Sequence, residues 1–267
     1  MKKYSWIIVI MVASISSFYS CKRDYTMRSP YSTTEGSSYL RIIDAAPNFR
    51  NIFNAPDSFN VLINGSKVAG YTPGAALVMT FGSNFPSISS GYGYIAVPPG
   101  TQEIKISTGI LNPDSVSIAR FSKTFEANKY YTFIITDSIK SNRDSSQIFL
   151  QDVYTQPESG FFNLRFIHAV LNDTAGKSVD IYSKRAAGNI FTNVKPGTIS
   201  PFSKLPYTPF MNDTLYVRRA GSTTLTLDTL NTVSFINQRT YTLFYRGDGT
   251  SNSNSNVKRR HLATYAH

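Results

Sequence analysis

Hydrophobic and polar residues alternate with a period of two along much of this chain. Residues 102–107 alternate in this way, and so do residues 58–63, which end at the hairpin signal Asn64-Gly65. No window of helical length keeps a clean 3.6-residue period without interruption by Gly, Pro or Asn. The pattern therefore predicts an all-β protein of short antiparallel strands, which is typical of β-sandwiches.

The strand pattern occurs twice along the chain. Residues 40–45 match residues 164–169 at an offset of 124, and residues 129–133 resemble residues 239–243 at an offset of 110. The second copy is therefore shorter by about 14 residues, and we place the extra material of the first copy in the Gly/Ser/Pro-rich segment 71–93. We predict a signal peptide at 1–20, a tether at 21–38, and two β-sandwich domains at 39–157 and 160–267.

These residues carry a family resemblance. The opening strand that ends in His168-Ala169, the Val-Asp-Ile-Tyr strand at 179–182, the Val-Pro-Pro-Gly-Thr turn at 97–101 and the Tyr-Thr strands resemble domain of unknown function 4397. The first copy departs from the pattern, with Asp44 in place of the His and Asn60 in place of the Asp. The resemblance implies tandem immunoglobulin-like β-sandwiches in an exported bacterial protein, and it implies no activity or ligand.

The first 21 residues have the pattern of an export signal. Lys2 and Lys3 give a positive start, and the apolar run 6–15 is too short to span a bilayer. Serine residues then lead to Cys21, the only cysteine, as in the signals of Bacteroidota lipoproteins, which this segment resembles. Because a thiol accepts a diacylglyceryl group and Cys21 has no disulfide partner, the sequence predicts lipidation of Cys21. An ordinary secretory signal is the alternative.

Lipidation would determine where the protein works. Two or more acyl chains on Cys21 hold a protein stably at a membrane, and the polar segment 21–38 is expected to act as a flexible tether spanning about 20–25 Å. We therefore predict an outer-membrane lipoprotein of the cell envelope, with the membrane as a partner through Cys21. Surface-exposed lipoproteins of this kind often have an acidic run after the cysteine, whereas Lys22 and Arg23 are basic, which leaves the face of the membrane open.

The net charge of +11, which falls to +9 without Lys2 and Lys3, changes this picture little. The basic residues are scattered and form no dense stripe interleaved with aromatic residues, so we expect no nucleic-acid partner. The only tryptophan, Trp6, lies in the predicted signal peptide. The mature chain would lack the aromatic residue best suited to stacking on sugars, which weakens polysaccharide binding without excluding it.

Candidate catalytic chemistry is sparse. His168 and Asp44 occupy equivalent strand ends, where a polar side chain is expected to cap a turn by accepting backbone N–H hydrogen bonds. An enzyme would need His168 to meet Asp173 or Asp180 in a pocket. No Gly-x-Ser-x-Gly elbow, phosphate loop or His-Glu-x-x-His motif is present, and His261 and His267 lack a third ligand nearby in sequence. We expect no catalysis, metal or cofactor.

Two functions remain open at this point. The first is a non-catalytic binding or structural module for adhesion, glycan capture or complex assembly, with a polysaccharide or an outer-membrane protein as partner. Its candidate contact residues are the aromatic residues of the insertion, Phe81, Phe85, Tyr92 and Tyr94. The alternative is an envelope hydrolase or its accessory subunit.

The lipid anchor gives the first testable prediction. Replacing Cys21 with Ala removes the thiol that would be acylated, so the protein should move from the membrane fraction of fractionated cells to the soluble fraction. Cys21→Ser is a matched control with a hydroxyl in place of the thiol, and it should behave in the same way. Membrane retention of both variants at the level of the parent would refute lipidation.

Overall fold

The computed structural model describes residues 36–47, 58–72, 75–77, 79–80, 84–85, 93–108, 117–136, 147–173, 177–250 and 259–267. All regular secondary structure in these ranges is β, which confirms the fold class predicted from the alternation. No helix in these ranges is long and apolar enough to cross a membrane. Thr33–His267 forms one compact unit. The divisions at 1–20, 21–38, 39–157 and 160–267 stay predictions.

The first half of the chain forms two sheets. One has the strand order β11-β10-β1-β6 with β7 also paired to β1, and the other has the order β4-β3-β2-β8-β9 with β5 paired to β2. The strands are β1 Ser38–Asp44, β2 Ser58–Ile63, β3 Ser66–Thr72, β4 Ala75–Leu77, β5 Met79–Thr80, β6 Asn84–Phe85, β7 Ile95–Val97, β8 Gly100–Thr108, β9 Ser117–Phe125, β10 Tyr130–Ile135 and β11 Ile148–Gln151.

The second half repeats this arrangement. Its sheets have the orders β15-β12-β18-β19 and β14-β13-β16-β17, which match β7-β1-β10-β11 and β3-β2-β8-β9 of the first half. The strands are β12 Phe161–His168, β13 Val179–Ser183, β14 Gly188–Val194, β15 Ser203–Pro206, β16 Asp213–Arg219, β17 Thr226–Val233, β18 Thr240–Arg246 and β19 His261–Ala266. The duplication read from the sequence is therefore present in the fold.

The extra material of the first copy lies where the sequence predicts it. Between β3 and β7 the chain has 22 residues, whereas only 8 residues separate the equivalent strands β14 and β15. The difference of 14 equals the change in offset between the copies. The short strands β4, β5 and β6 belong to this insertion, and β4 pairs with the outer edge of β3.

One feature of the sheets differs from the antiparallel expectation. β1 pairs in parallel with β10, and β12 pairs in parallel with β18, so one sheet of each sandwich is mixed. The alternation of residues along a strand sets which face is buried, but it contains no information on the direction of the neighbouring strand. This pairing joins segments about 90 residues apart, which local sequence cannot specify.

Aromatic pairs join the two sheets of each sandwich. In the first sandwich, the rings of Phe121 on β9 and Phe133 on β10 meet edge to face with centroids 5.1 Å apart. In the second, Phe162 on β12 stacks on Phe235 at 4.6 Å, and both are buried. Contacts of this kind add to the burial of apolar area that stabilises a sandwich core.

A separate apolar cluster joins the two sandwiches to each other. It contains side chains from both halves, and most occupy equivalent positions in the repeat: Ile43, Ala45, Ile134, Ile148, Ile167, Ala169, Phe244 and Tyr265, with Leu150 packed against it. β1, β10, β12 and β18 are consequently buried on both faces, which explains their nearly continuous apolar sequences. The two sandwiches therefore share a core.

This shared core predicts a loss of stability on truncation. Ile167 is fully buried in it, so Ile167→Ala should lower the free energy of unfolding by about 2–5 kcal/mol in urea denaturation. Ile236→Ala makes the same chemical change at a side chain that is 57% exposed, and it should change stability by about 0.5 kcal/mol or less. Equal losses for the two variants would contradict a packed interface.

Candidate binding surface

A closed ring of hydrogen bonds crosses the interface between the sandwiches. The carboxylate of Asp152 accepts from the hydroxyl of Tyr94 at 3.0 Å and from the guanidinium of Arg165, with which it forms a buried ion pair. Arg165 Nε donates to Thr242 Oγ1 at 2.8 Å. The ring of His267 closes the circuit, with Nε2 2.8 Å from Thr242 Oγ1 and Nδ1 3.2 Å from the Tyr94 hydroxyl.

The protonation states in this ring follow from its geometry. Tyr94 donates to a carboxylate and Thr242 accepts from Arg165, so His267 must donate through Nδ1 and accept through Nε2. Burial, together with the charges of Arg165 and Arg41, lowers the pKa of His267 to about 2, which keeps the imidazole neutral. Burial and the charge of Asp152 raise the pKa of Tyr94. These side chains are therefore fixed in one structural arrangement.

Arg41 sits beside the ring as a second buried cation. Its guanidinium lies over the rings of Tyr94 and Tyr265, at 4.3 and 4.6 Å from their centroids. Nε donates to the carbonyl of Gly93 at 2.8 Å, and Nη2 donates to that of Ala266 at 3.4 Å. The side chain holds both copies together through backbone and aromatic contacts.

The candidate contact residues have different fates. Tyr94 is 7% exposed and belongs to the interface ring, so its side chain does not face solvent. Phe85 lies on β6 opposite Ile42. Phe81, Tyr92 and Cys21 lie outside the described residues, so the contact role of the insertion and the lipidation of Cys21 stay predictions.

Asp44 and His168 cap turns, as the sequence predicts. Asp44 accepts from the backbone N–H of Ala46 at 3.0 Å, and His168 Nδ1 accepts from that of Val170 at 3.4 Å. The His168 side chain is fully buried, with its ring 5.2 Å from that of Tyr245. Burial lowers the pKa of His168 to about 4, so the ring is neutral at physiological pH.

The buried carboxylates near His168 are already engaged. Asp173 forms a two-point ion pair with Arg219, with both N–O distances at 2.6 Å. Asp180 accepts from the side chain of Asn189 and from the backbone N–H groups of Asn193 and Gly221. Carboxylates held in this way stabilise the loops, and none of them shares an open cleft with His168 among the described residues.

Metal binding has no support in the described part of the chain. Within residues 36–47, 58–72, 75–77, 79–80, 84–85, 93–108, 117–136, 147–173, 177–250 and 259–267, no group of three or more His, Cys, Asp or Glu side chains is placed to hold an ion. The structure also gives the hydrolase alternative no His–carboxylate constellation in these ranges. The chemistry available is that of binding.

An open cleft of about 220 Å³ lies at one side of the second sandwich, between the edge strands β14 and β15. Its walls are mainly apolar and its rim carries a few polar groups; the lining residues are Phe162, Leu164, Ser183, Arg185, Ala186, Ile190, Leu205, Pro206, Thr208, Asp213 and Phe235. Arg185 Nη2 donates to the carbonyl of Pro206 at 3.2 Å, and Asp213 accepts from Ser183 and the Arg185 N–H. The rim is therefore held rigid by its own contacts.

The loop that follows the cleft presents apolar side chains to solvent. Phe210 is fully exposed and Met211 is 50% exposed, both in the connection between β15 and β16. Phe210 has a φ of 56°, which is rare for a bulky side chain and costs about 1–3 kcal/mol. Neither this loop nor the cleft was among the candidates from the sequence.

The chain belongs to a family defined only by its sequence, the domain of unknown function DUF4397, which matches residues 38–182. This match confirms the resemblance read from the strand and turn motifs. It covers the first sandwich and continues through β12 and most of β13 of the second. A search of curated proteins finds no match.

Solved structures provide distant similarities. An α-glucan-recognising family 41 carbohydrate-binding module from streptococcal virulence factors is 9% identical, with a TM-score of 0.22, covering 78% of this chain and 93% of its own. A candidate adhesin from Bacteroides ovatus is 8% identical, with a TM-score of 0.22 and coverages of 88% and 98%. A candidate cell adhesion protein from Bacteroides uniformis is 9% identical, with a TM-score of 0.17 and coverages of 87% and 97%. Similarity at this level carries no conclusion about what this chain binds.

The buried histidine predicts acid sensitivity. The pKa of His168 is about 4 in the folded protein and 6.5 ordinarily, so between these values only the unfolded chain takes up the proton. The free energy of unfolding should therefore fall by about 3 kcal/mol from this group as the pH decreases from 7 to 4.

His168→Asn retains an acceptor for the turn and removes the titration. Urea denaturation across this pH range should show a shallower decline for His168→Asn than for the parent. Measurements at pH 8, where His168 is neutral in both states, separate any other effect of the substitution on stability. Parallel pH profiles would contradict a neutral, buried His168.

Proposed function

We propose that this protein is an envelope lipoprotein anchored through Cys21, whose double sandwich is a non-catalytic module that captures an extended segment of a partner protein. The cleft between β14 and β15 is the binding site. The observation that carries the proposal is this open, largely apolar cleft on a scaffold whose described buried carboxylates are committed to the fold.

The first sandwich itself supports an extended segment as the occupant. In that copy, the edge strand β3 pairs with β4, a three-residue strand supplied by the insertion. The equivalent strand β14 has no outer neighbour among the described strands. An exposed strand edge next to an apolar cleft suits β-augmentation, in which backbone hydrogen bonds give affinity and pockets give specificity.

A polypeptide suits this cleft better than a sugar. Phe162 and Phe235, the aromatic residues that line the cleft, stack on each other and are 2% and 8% exposed. They therefore offer no exposed ring face on which a pyranose could stack. Leu205 and Ile190 are partly buried, and they provide aliphatic walls of the kind that accept the side chains of a bound strand.

A pull-down with a cleft-blocking variant tests this proposal. Ala186 is exposed at the mouth of the cleft, so Ala186→Trp should fill the mouth and abolish capture of the partner from envelope extracts. Thr223→Trp adds the same side chain at an exposed position in the β16–β17 connection, and it should capture the partner as well as the parent does.

The outcomes separate the alternatives. Capture that is lost with Ala186→Trp and kept with Thr223→Trp supports the cleft. Equal capture by both variants would contradict it. Binding on a glycan array that responds to Ala186→Trp, without any captured protein, would replace the polypeptide with a polysaccharide.

A further inference from the structure

The exposed loop between β15 and β16 has the chemistry of a membrane contact. Phe210 and Met211 stand at its tip, and Ile236 in the neighbouring β17–β18 connection is 57% exposed. These apolar side chains project at one end of the second sandwich, where backbone hydrogen bonds join Tyr207 to Gly160. Large apolar groups held in water at a strained position are costly unless they meet an apolar environment.

Cationic side chains surround this apolar tip. Lys184 and Arg239 are exposed in the adjoining β13–β14 and β17–β18 connections, and Arg185 lies between them and the cleft. The acidic groups at this end are Glu158, which is paired with Lys204, and Asp213, which is 8% exposed. An apolar tip within a basic collar fits the boundary between lipid headgroups and acyl chains, where anionic headgroups add electrostatic attraction.

The tip is specific to the second copy. In the first sandwich, the equivalent connection between β7 and β8 is the two-residue turn Pro98-Pro99. In the second, six residues, 207–212, connect β15 to β16. The four additional residues are not needed to reverse the chain, because the first copy does so without them.

The tip faces the same side as the start of the first sandwich. Arg41 of β1 contacts Tyr265, which lies at the level of Arg165 of β12, and further along these strands Ile43 shares an apolar cluster with Ile167. Because matching levels of β1 and β12 meet, the two strands run in the same general direction. The start of β1, where the predicted tether joins the fold, therefore lies at the end that carries the tip.

We propose that this end of the second sandwich seats on the membrane, with Phe210 and Met211 entering the headgroup region and the basic collar contacting anionic lipid. The inference rests on the membrane attachment in the proposed function, but not on the cleft. It gives the body a fixed orientation on the membrane, with the cleft close to the lipid surface.

The test uses the chain from Cys21 onward, attached through its single thiol to vesicles that contain a maleimide-bearing lipid. Chemical attachment makes the test independent of lipidation in cells. This chain has no tryptophan, because Trp6 precedes Cys21. Phe210→Trp therefore places one reporter at the tip, and its emission should shift to shorter wavelength on vesicles with phosphatidylglycerol and be quenched by brominated acyl chains.

Leu225→Trp is the matched control. Leu225 is 54% exposed in the β16–β17 connection, at the opposite end of β16 from the tip, so its emission should not change on the same vesicles. Within the Phe210→Trp chain, the double change Lys184→Glu and Arg239→Glu should reduce the shift. The same change of charge at Lys177 and Lys195, which are exposed beyond the other ends of β13 and β14, should not reduce it.

The results discriminate clearly. No shift at position 210, or equal shifts at positions 210 and 225, would overturn the seating. A shift that requires added envelope protein would also overturn it and assign the tip to a protein partner. A lipid-dependent shift at position 210 alone would support the seating, even if Cys21 were not lipidated in cells or the cleft captured nothing.

Discussion

The joint between the two sandwiches depends on one carboxylate. Asp152 is the acidic group of a buried ring that also contains Arg165, and Arg41 brings a second guanidinium to the same interface. Removing one partner of a buried ion pair typically costs about 3–5 kcal/mol, because the remaining charge is left without compensation. Asp152 lies just after β11 of the first copy, and Arg165 lies on β12 of the second. The ion pair therefore spans the junction of the repeat.

The duplication makes this arrangement intelligible. In the repeat, Arg41 is equivalent to Arg165, Thr132 to Thr242, and Asp152 to His267. Two carboxylates at the last pair of positions would face each other across a buried interface and repel. The neutral ring of His267 avoids this repulsion and still provides one donor and one acceptor. The two copies have thus diverged at the positions where they meet.

The local parts of this structure could be predicted from the sequence. Alternation and turn residues locate the hairpin at Asn64-Gly65 and the two copies, because strand period and turn chemistry are properties of short segments. The caps at Asp44 and His168 follow from the same local logic. The insertion is visible as a change in the offset between the copies.

The contacts between distant segments could not be predicted in this way. Tyr94 was chosen as a surface aromatic residue, yet its hydroxyl is a member of the buried ring, and composition alone does not distinguish these environments. The apolar run 130–135 does carry a signal, because strands buried on both faces lose their alternation. The tip at Phe210 has a signal too, since adjacent Phe and Met are unusual in a short connection.

The hydrogen-bonded ring also bears on how such a chain can evolve. A duplicated domain usually remains a module that recombination can move alone, but here a break between Asp152 and Arg165 would leave each copy with half of a buried ion pair. The family match, which continues from the first copy into the first strands of the second, agrees with inheritance as a double unit. What arose as two domains is now transmitted as one.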